Sequence, residues 1–309
     1  MVAALPLGAL PGPAFDSFDP AFDACIGPGL RIERIWTGSR WCEGPAWLPG
    51  ARRLVWSDIP ADRMMAWDEV TGTVSVFRAP AGGPNGNTVD RAGRLLSCEQ
   101  RPHRITRTEA DGTITVLVDG IDGCRFHSPN DLIVASDGAV WFSDPSYGRP
   151  KDRPPGRDVA GCHVYRFDPD TGSIRQMTRD FVMPNGLAFS PDERMLYIVD
   201  TGSTERPDGP NHLRRFQLDR EGGLTGGEIL IEEAGGHFDG LRVDADGRLW
   251  VGADDGARCY TPEGRLIGRI KLPERAANLA FGGCDRHMLF MTATTSVYAC
   301  RLDVAGSAA

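Results

Sequence analysis

Six oxygen-bearing side chains recur at one position of a repeated segment: Glu43, Asn85, Asn130, Asn185, Asp239 and Asn278. Each opens a short apolar run, and in every copy a turn follows eight residues later, at Ala51, Gly93, Gly138, Glu193, Gly247 and Arg286. The set holds two carboxylates and four amides, with no thiol and no imidazole. Hard oxygen donors of this kind suit Ca²⁺, Mg²⁺ or Mn²⁺, with Zn²⁺ and Fe²⁺ less natural, and two carboxylates balance one divalent cation. A single Asn or Asp before Gly is ordinary turn chemistry. Six in register point to a shared site.

A second series of acids follows each turn by six or seven residues: Asp58, Glu99, Asp144, Asp200 and, in the fifth copy, Asp254. Strands rise about 3.3 Å per residue, so a run out and a run back of similar length end on one face. The second series is therefore expected around the same mouth, one shell further out.

The elements that must position these groups are short strands. From Glu43 the chain reads EGPAWLPG, ARRLVWSD, RMMAWDEVTG, TVSVFRAP, four strands divided by Pro-Gly, Pro-Ala-Asp and Thr-Gly turns, and four further units repeat that order. The sixth unit (NLAFGGCD, RHMLFMTA, SVYACRLD) has only three strands, while Leu30 to Thr37 alternates apolar and polar with no partner of its own. This pattern predicts an all-β, six-bladed β-propeller whose last blade is closed by the N-terminal strand. Joining the chain ends in one blade removes exposed sheet edges. The expected organisation is an arm over residues 1–29 and one propeller domain over 30–309.

Composition agrees. The 309 residues are 41% hydrophobic and 25% charged, with 38 Gly and 23 Pro, which suits many turns and short strands. A formal charge of −8 argues against nucleic acid or an anionic membrane as partner. No apolar run approaches the roughly 20 residues of a membrane helix. The N-terminal MVAALPLGALPGPAF lacks a basic region and is broken by Pro and Gly. It reads as a loose arm, giving a cytoplasmic expectation with a periplasmic or exported alternative. Eight cysteines show no metal-type spacing and are expected as free thiols, several of them buried.

Two long loops, Tyr147 to Gly161 and Thr201 to His212, are expected to flank the mouth. The first carries Arg149, Lys151, Arg153 and Arg157, read mainly as solvated charge. His127, His212 and His237 fall near the mouth, but none is the first-choice base.

Six segments carry a family resemblance: EGPAW at 43–47, NGNTVDRAGRLLSCE at 85–99, SPND at 128–131, FSDPSYG at 142–148, PNGLAF at 184–189 and FDGLRVDADG at 238–247. In this order and spacing the chain resembles the senescence-marker-protein/gluconolactonase (regucalcin-like) family of six-bladed calcium-dependent hydrolases, and its bacterial gluconolactonase branch in particular. The resemblance implies Glu43, Asn185 and Asp239 as metal ligands. It implies Asn130 as a ligand or a substrate contact. Regucalcin-like members carry Arg where this chain has Ser128, a departure that bears on substrate preference.

On this reading one divalent cation, Ca²⁺ first, polarises the carbonyl of a sugar lactone of the glucono-1,5-lactone type. Asp239 activates water, and Asn85, Glu99, Asp144, Tyr147 and Asn278 contact the sugar. The expected partner is that small molecule, and the expected state is a monomer or weak dimer. Two alternatives stay open: a phosphoric ester hydrolase using the same metal site, and a non-catalytic calcium-binding propeller.

Overall fold

The structure is a computed structural model that describes residues 7–11, 14–27, 29–148, 158–219, 221–233 and 236–308. Its architecture is the six-bladed β-propeller expected from the repeats, each blade a four-stranded antiparallel meander. The innermost strands are Cys42–Leu48, Pro84–Val89, Leu132–Val134, Pro184–Phe189, Phe238–Val243 and Ala276–Gly282. The sixth blade is completed by Ile32–Thr37, which pairs antiparallel with Ser296–Arg301.

Two features of the sequence make this ring close. The second strand of every blade is buried along nearly its whole length, as in Leu95–Glu99, Val140–Asp144 and Leu249–Ala253. Covered on both faces, these strands read as continuous apolar runs without alternation. The buried apolar side chains also fall into six clusters, and each cluster spans one pair of neighbouring blades. Trp47, Trp56 and Phe290, for instance, join the first blade to the sixth.

The N-terminal residues reinforce the fifth and sixth blades. Gly8–Ala9 pairs with the closing strand, and Phe15–Ser17 adds a fifth strand beside Leu266–Lys271. A short helix, Pro20–Ile26, follows. Asp19 caps it by accepting from the Ala21 N–H at 2.8 Å, and Pro20 supplies the preset φ of a first helical position. The helix buries Phe22, Cys25 and Ile26 against the interface of blades five and six. A Cβ at Gly268 would fall 2.2 Å from the Phe22 ring, so only glycine leaves room for it.

All eight cysteines are free, and Cys25, Cys42, Cys98, Cys259 and Cys300 are buried. Among the described residues no helix is long and apolar enough to cross a membrane.

Candidate active site

The repeated polar residue owes its direction to a repeated irregularity. In five blades the inner strand slips register against the second strand at this point, between Glu43 and Ala46, Pro84 and Asn87, Pro184 and Leu187, Phe238 and Leu241, and Ala276 and Asn278. A bulge re-aims a side chain that regular pairing would send to the other face. The third blade reaches the same end by starting its strand later, at Leu132, with the Asn130 N–H donating to the Ser143 carbonyl at 2.9 Å. Crowding explains the following glycine. A Cβ at Gly44 would stand 2.0 Å from the Asn85 carbonyl oxygen, and one at Gly86 2.4 Å from that of Asn130.

Five members of the ring, Glu43, Asn85, Asn130, Asn185 and Asp239, line one cavity of about 230 Å³. Asn278 does not. Its Oδ1 accepts from the Leu279 N–H at 2.8 Å and its amide hydrogen-bonds Glu43, so it sits behind the carboxylate and fixes it. A larger cavity, about 690 Å³, lies along the far halves of the inner strands and is lined by Arg52, Arg242 and Arg286 with no carboxylate. The smaller one holds the donor groups and is the candidate site.

Glu43 is buried and Asp239 is partly buried. Burial pushes Glu43 up to about 7; the Asp131 charge adds to this, while the Gly44 N–H at 2.9 Å, the Asn278 amide and Arg242 oppose it. Asp239 is raised well above the ordinary carboxylate range, first by burial and then by the charge of Glu43, against the pull of Arg275 and the Asn185 amide. Two acids held this way lack positive charge.

The other donors fit a hard cation. Asn185 commits Nδ2 to Thr201 Oγ1 at 3.2 Å, which leaves Oδ1 available to a ligand. Asn85 Oδ1 is buried with no hydrogen-bond partner. Among the described residues no three His, Cys, Asp or Glu cluster as a metal set. The candidate ligands are two carboxylates supplemented by amides, a mixture that suits Ca²⁺ or Mg²⁺ better than Zn²⁺.

The second acidic series does different work from that expected. Asp58 accepts from the N–H groups of Arg40 and Trp41, Asp144 from His127 and Ser128, and Asp200 from Val182 and Met183. In each case these are the residues three and two positions before the ring residue. Glu99 is enclosed by Arg78 at 3.0 Å, Arg104 at 2.8 Å and Thr106 at 3.0 Å. Glu99, Asp144 and Asn278, expected to contact the sugar, do not line the cavity, and each side chain is engaged by protein partners.

Tyr147 does line it, and its hydroxyl lies 2.9 Å from Thr204 Oγ1. The loop after Asp200 contributes Thr201 and Thr204, whereas Arg149, Lys151, Arg153 and Arg157 fall outside the described residues. Trp41, Gln100 and Arg275 also line the cavity and were not singled out by sequence; His237, noted only as near the mouth, joins them. His127 and His212 do not.

Comparison with known proteins identifies the family and agrees with the propeller fold. Residues 41–295 match the model of the SMP-30/gluconolactonase/LRE-like region. A gluconolactonase of Zymomonas mobilis is 30% identical over 94% of this chain and 86% of its own length. A pentonolactonase of Haloferax volcanii is 30% identical over 83% of this chain and 82% of its own. The solved structure of a gluconolactonase from Xanthomonas campestris superposes with a TM-score of 0.87 at 36% identity, covering 97% of this chain and 99% of that one. The chain belongs to the SMP-30/gluconolactonase/LRE-like family.

Proposed function

We propose that the chain is a metal-dependent lactonase that opens a sugar lactone of the glucono-1,5-lactone type to the aldonic acid. The observation that carries this is the pairing of two mutually repelling carboxylates, the buried Glu43 and the partly buried Asp239, in a cavity lined with amides. Gluconolactonase and pentonolactonase relatives that align over most of the chain support the substrate class.

Glu43, Asn130, Asn185 and Asp239 are the residues that would hold one divalent cation, Ca²⁺ first. When bound, it supplies an electrophile for the lactone carbonyl and a counter-charge for the two acids.

The chain's own groups do the rest. Asp239, partly exposed in the cavity lining, takes the proton of the attacking water. Glu43 is tied to the Gly44 N–H and the Asn278 amide, which fixes its oxygens and suits it to a ligand role. Asn85, Gln100, Tyr147 and Thr204 offer amide and hydroxyl groups to the substrate hydroxyls. Trp41 and Ile59 add apolar side chains to the cavity lining.

The test is lactone hydrolysis before and after chelation. Activity should vanish with the chelator and return with added Ca²⁺, Mg²⁺ or Mn²⁺. Full activity in exhaustively chelated protein would overturn the metal role, and absence of turnover across an aldonolactone panel would overturn the lactonase reading.

A further inference from the structure

Arg275 immediately precedes the first strand of the sixth blade and lines the cavity, where its charge acts on Asp239. It is the one Arg or Lys among the described lining residues. Its guanidinium is held from one side. Nε meets Asp254 Oδ1 at 2.5 Å, and Nη2 lies 2.9 Å from His237 Nδ1. The other Asp254 oxygen stands 3.1 Å from the same imidazole nitrogen, which accepts from Arg275 when it carries no proton and donates to Asp254 when it does. These contacts use Nε and one terminal nitrogen. Nη1 has no protein partner among the described residues.

We propose that Arg275 receives the carboxylate created by ring opening, and that Asp254 and His237 are positioning residues acting through it. This deepens the lactonase reading and rests on it. Hydrolysis breaks the bond between the acyl carbon and the ring oxygen and forms a bond from that carbon to the water oxygen. One water proton ends on the former ring oxygen as a hydroxyl, and the other leaves when the new acid ionises. A neutral substrate thus becomes an anion at a place where the charges of Glu43 and Asp239 already offset those of the cation.

The new oxygen appears on the side from which water attacks, the Asp239 side, and that is where Arg275 stands. A guanidinium with a free terminal edge pairs a carboxylate through directed N–H bonds, which an ammonium matches only as a point charge. Arg275 therefore discriminates the anionic product and the charge that develops toward it from the neutral lactone.

The experiment uses the full chain with Ca²⁺ and compares wild type with Arg275→Met, Arg275→Lys and Asp254→Asn. D-gluconate binding is measured by calorimetry and as product inhibition, alongside KM and kcat for glucono-1,5-lactone. In Arg275→Met the gluconate Kd and Ki should rise about tenfold and kcat should fall, while the lactone KM moves less than twofold. Arg275→Lys should recover part of the gluconate affinity. Asp254→Asn should lie between wild type and Arg275→Met, and the double variant should be no worse than Arg275→Met alone. Unchanged gluconate binding in Arg275→Met, or equal loss of lactone and gluconate affinity, would overturn the proposal while leaving the lactonase reading standing. Should Arg275→Met fail to fold, Asp254→Asn with unaltered gluconate binding would overturn it equally. A wild-type protein that turns over no aldonolactone would overturn the parent reading and this proposal with it.

Discussion

Asp200 holds Asn185 in place without touching it. Its carboxylate accepts from the Val182 N–H at 2.8 Å and the Met183 N–H at 2.9 Å, the two residues that lead the chain toward Asn185, and from the Gly202 N–H at 3.1 Å on the loop that brings Thr201 to the Asn185 amide. The relation of Asp144 to Asn130 and of Asp58 to Glu43 has the same form. An inner strand of a propeller begins after a loop, and a loop alone would leave its first side chain imprecisely aimed. A buried carboxylate that gathers the two preceding amides removes that freedom.

Asp200→Ala should therefore damage both stability and the site. It leaves three backbone donors without their acceptor in a buried place, a loss of about 3 kcal/mol or more at 1–3 kcal/mol per unsatisfied group. Urea unfolding at neutral pH measures this. Asp200→Asn keeps one acceptor oxygen and should lose roughly half as much. Calcium affinity should fall in both variants in the same order as stability, because the loop that aims Asn185 has loosened. Unchanged stability in Asp200→Ala would show that the loop is held by something else.

The two carboxylates of the site impose a pH dependence on the metal-free protein. Glu43 is raised in the folded state to about 7, and Asp239 moves in the same direction. A group whose folded pKa lies above its unfolded value contributes stability that is complete below the unfolded pKa and is lost as pH rises through the folded one. In chelator, the melting temperature should thus decline as pH rises from about 4.5 to about 7, the interval between the ordinary and the folded value of Glu43. Glu43→Gln should show a smaller decline over that range, since Asp239 is then relieved of its charged neighbour, and saturating Ca²⁺ should flatten the wild-type curve. Identical slopes for wild type and Glu43→Gln would remove Glu43 as the source.

The fold was legible because its repeat is enforced by packing. Every blade must start its inner strand with a side chain turned to the channel, and the neighbour's backbone then leaves space only for glycine at Gly44 and Gly86. In four of the six blades those two demands print a polar–glycine pair, beginning at Glu43, Asn85, Asn185 and Asp239. Arg275 left no such trace. Three positions before the ring residue the six blades carry Arg40, Gly82, His127, Val182, Gly236 and Arg275, and only the shape of the assembled mouth shows which of them enters it. The protein partners of Glu99 and Asp144 were hidden for a related reason. Spacing along a strand gives the face on which an acid emerges, but not whether Arg78, Arg104 or a pair of backbone amides has come to meet it. The N-terminal arm hid its packing because Phe22, Cys25 and Ile26 sit on a helix of only seven residues, too short for its periodicity to stand out.

That arm should matter for stability and little for chemistry. Phe22 is fully buried, faces Trp250 with ring centroids 6.0 Å apart and lies over Gly268. Phe22→Ala should cost about 3 kcal/mol or more, the ordinary range for deleting a buried aromatic ring. The kcat per folded molecule should stay near wild type, since the cluster lies between blades five and six and contributes nothing to the cavity lining. A parallel loss of kcat in protein confirmed as folded by circular dichroism would show coupling between this interface and the site.

Asp239 carries the sharpest prediction, because its two roles can be separated. As a ligand it needs an oxygen directed at the cation; as the group that takes a proton from water it needs a carboxylate. Asp239→Asn keeps an oxygen and removes the basicity, while Asp239→Ala removes both. General-base assistance is worth roughly 10²–10⁴ in rate, so Asp239→Asn should lose about that much kcat while still binding Ca²⁺ measurably by calorimetry. Asp239→Ala should bind Ca²⁺ more weakly still and be nearly inactive, and Asn185→Ala should resemble it in metal affinity. The asymmetry with Glu43 is the control. If Glu43 is only a ligand, Glu43→Gln should lose Ca²⁺ affinity, and its kcat at saturating metal should exceed that of Asp239→Asn. Wild-type rates in Asp239→Ala at saturating Ca²⁺ would take the proton-accepting role away from Asp239.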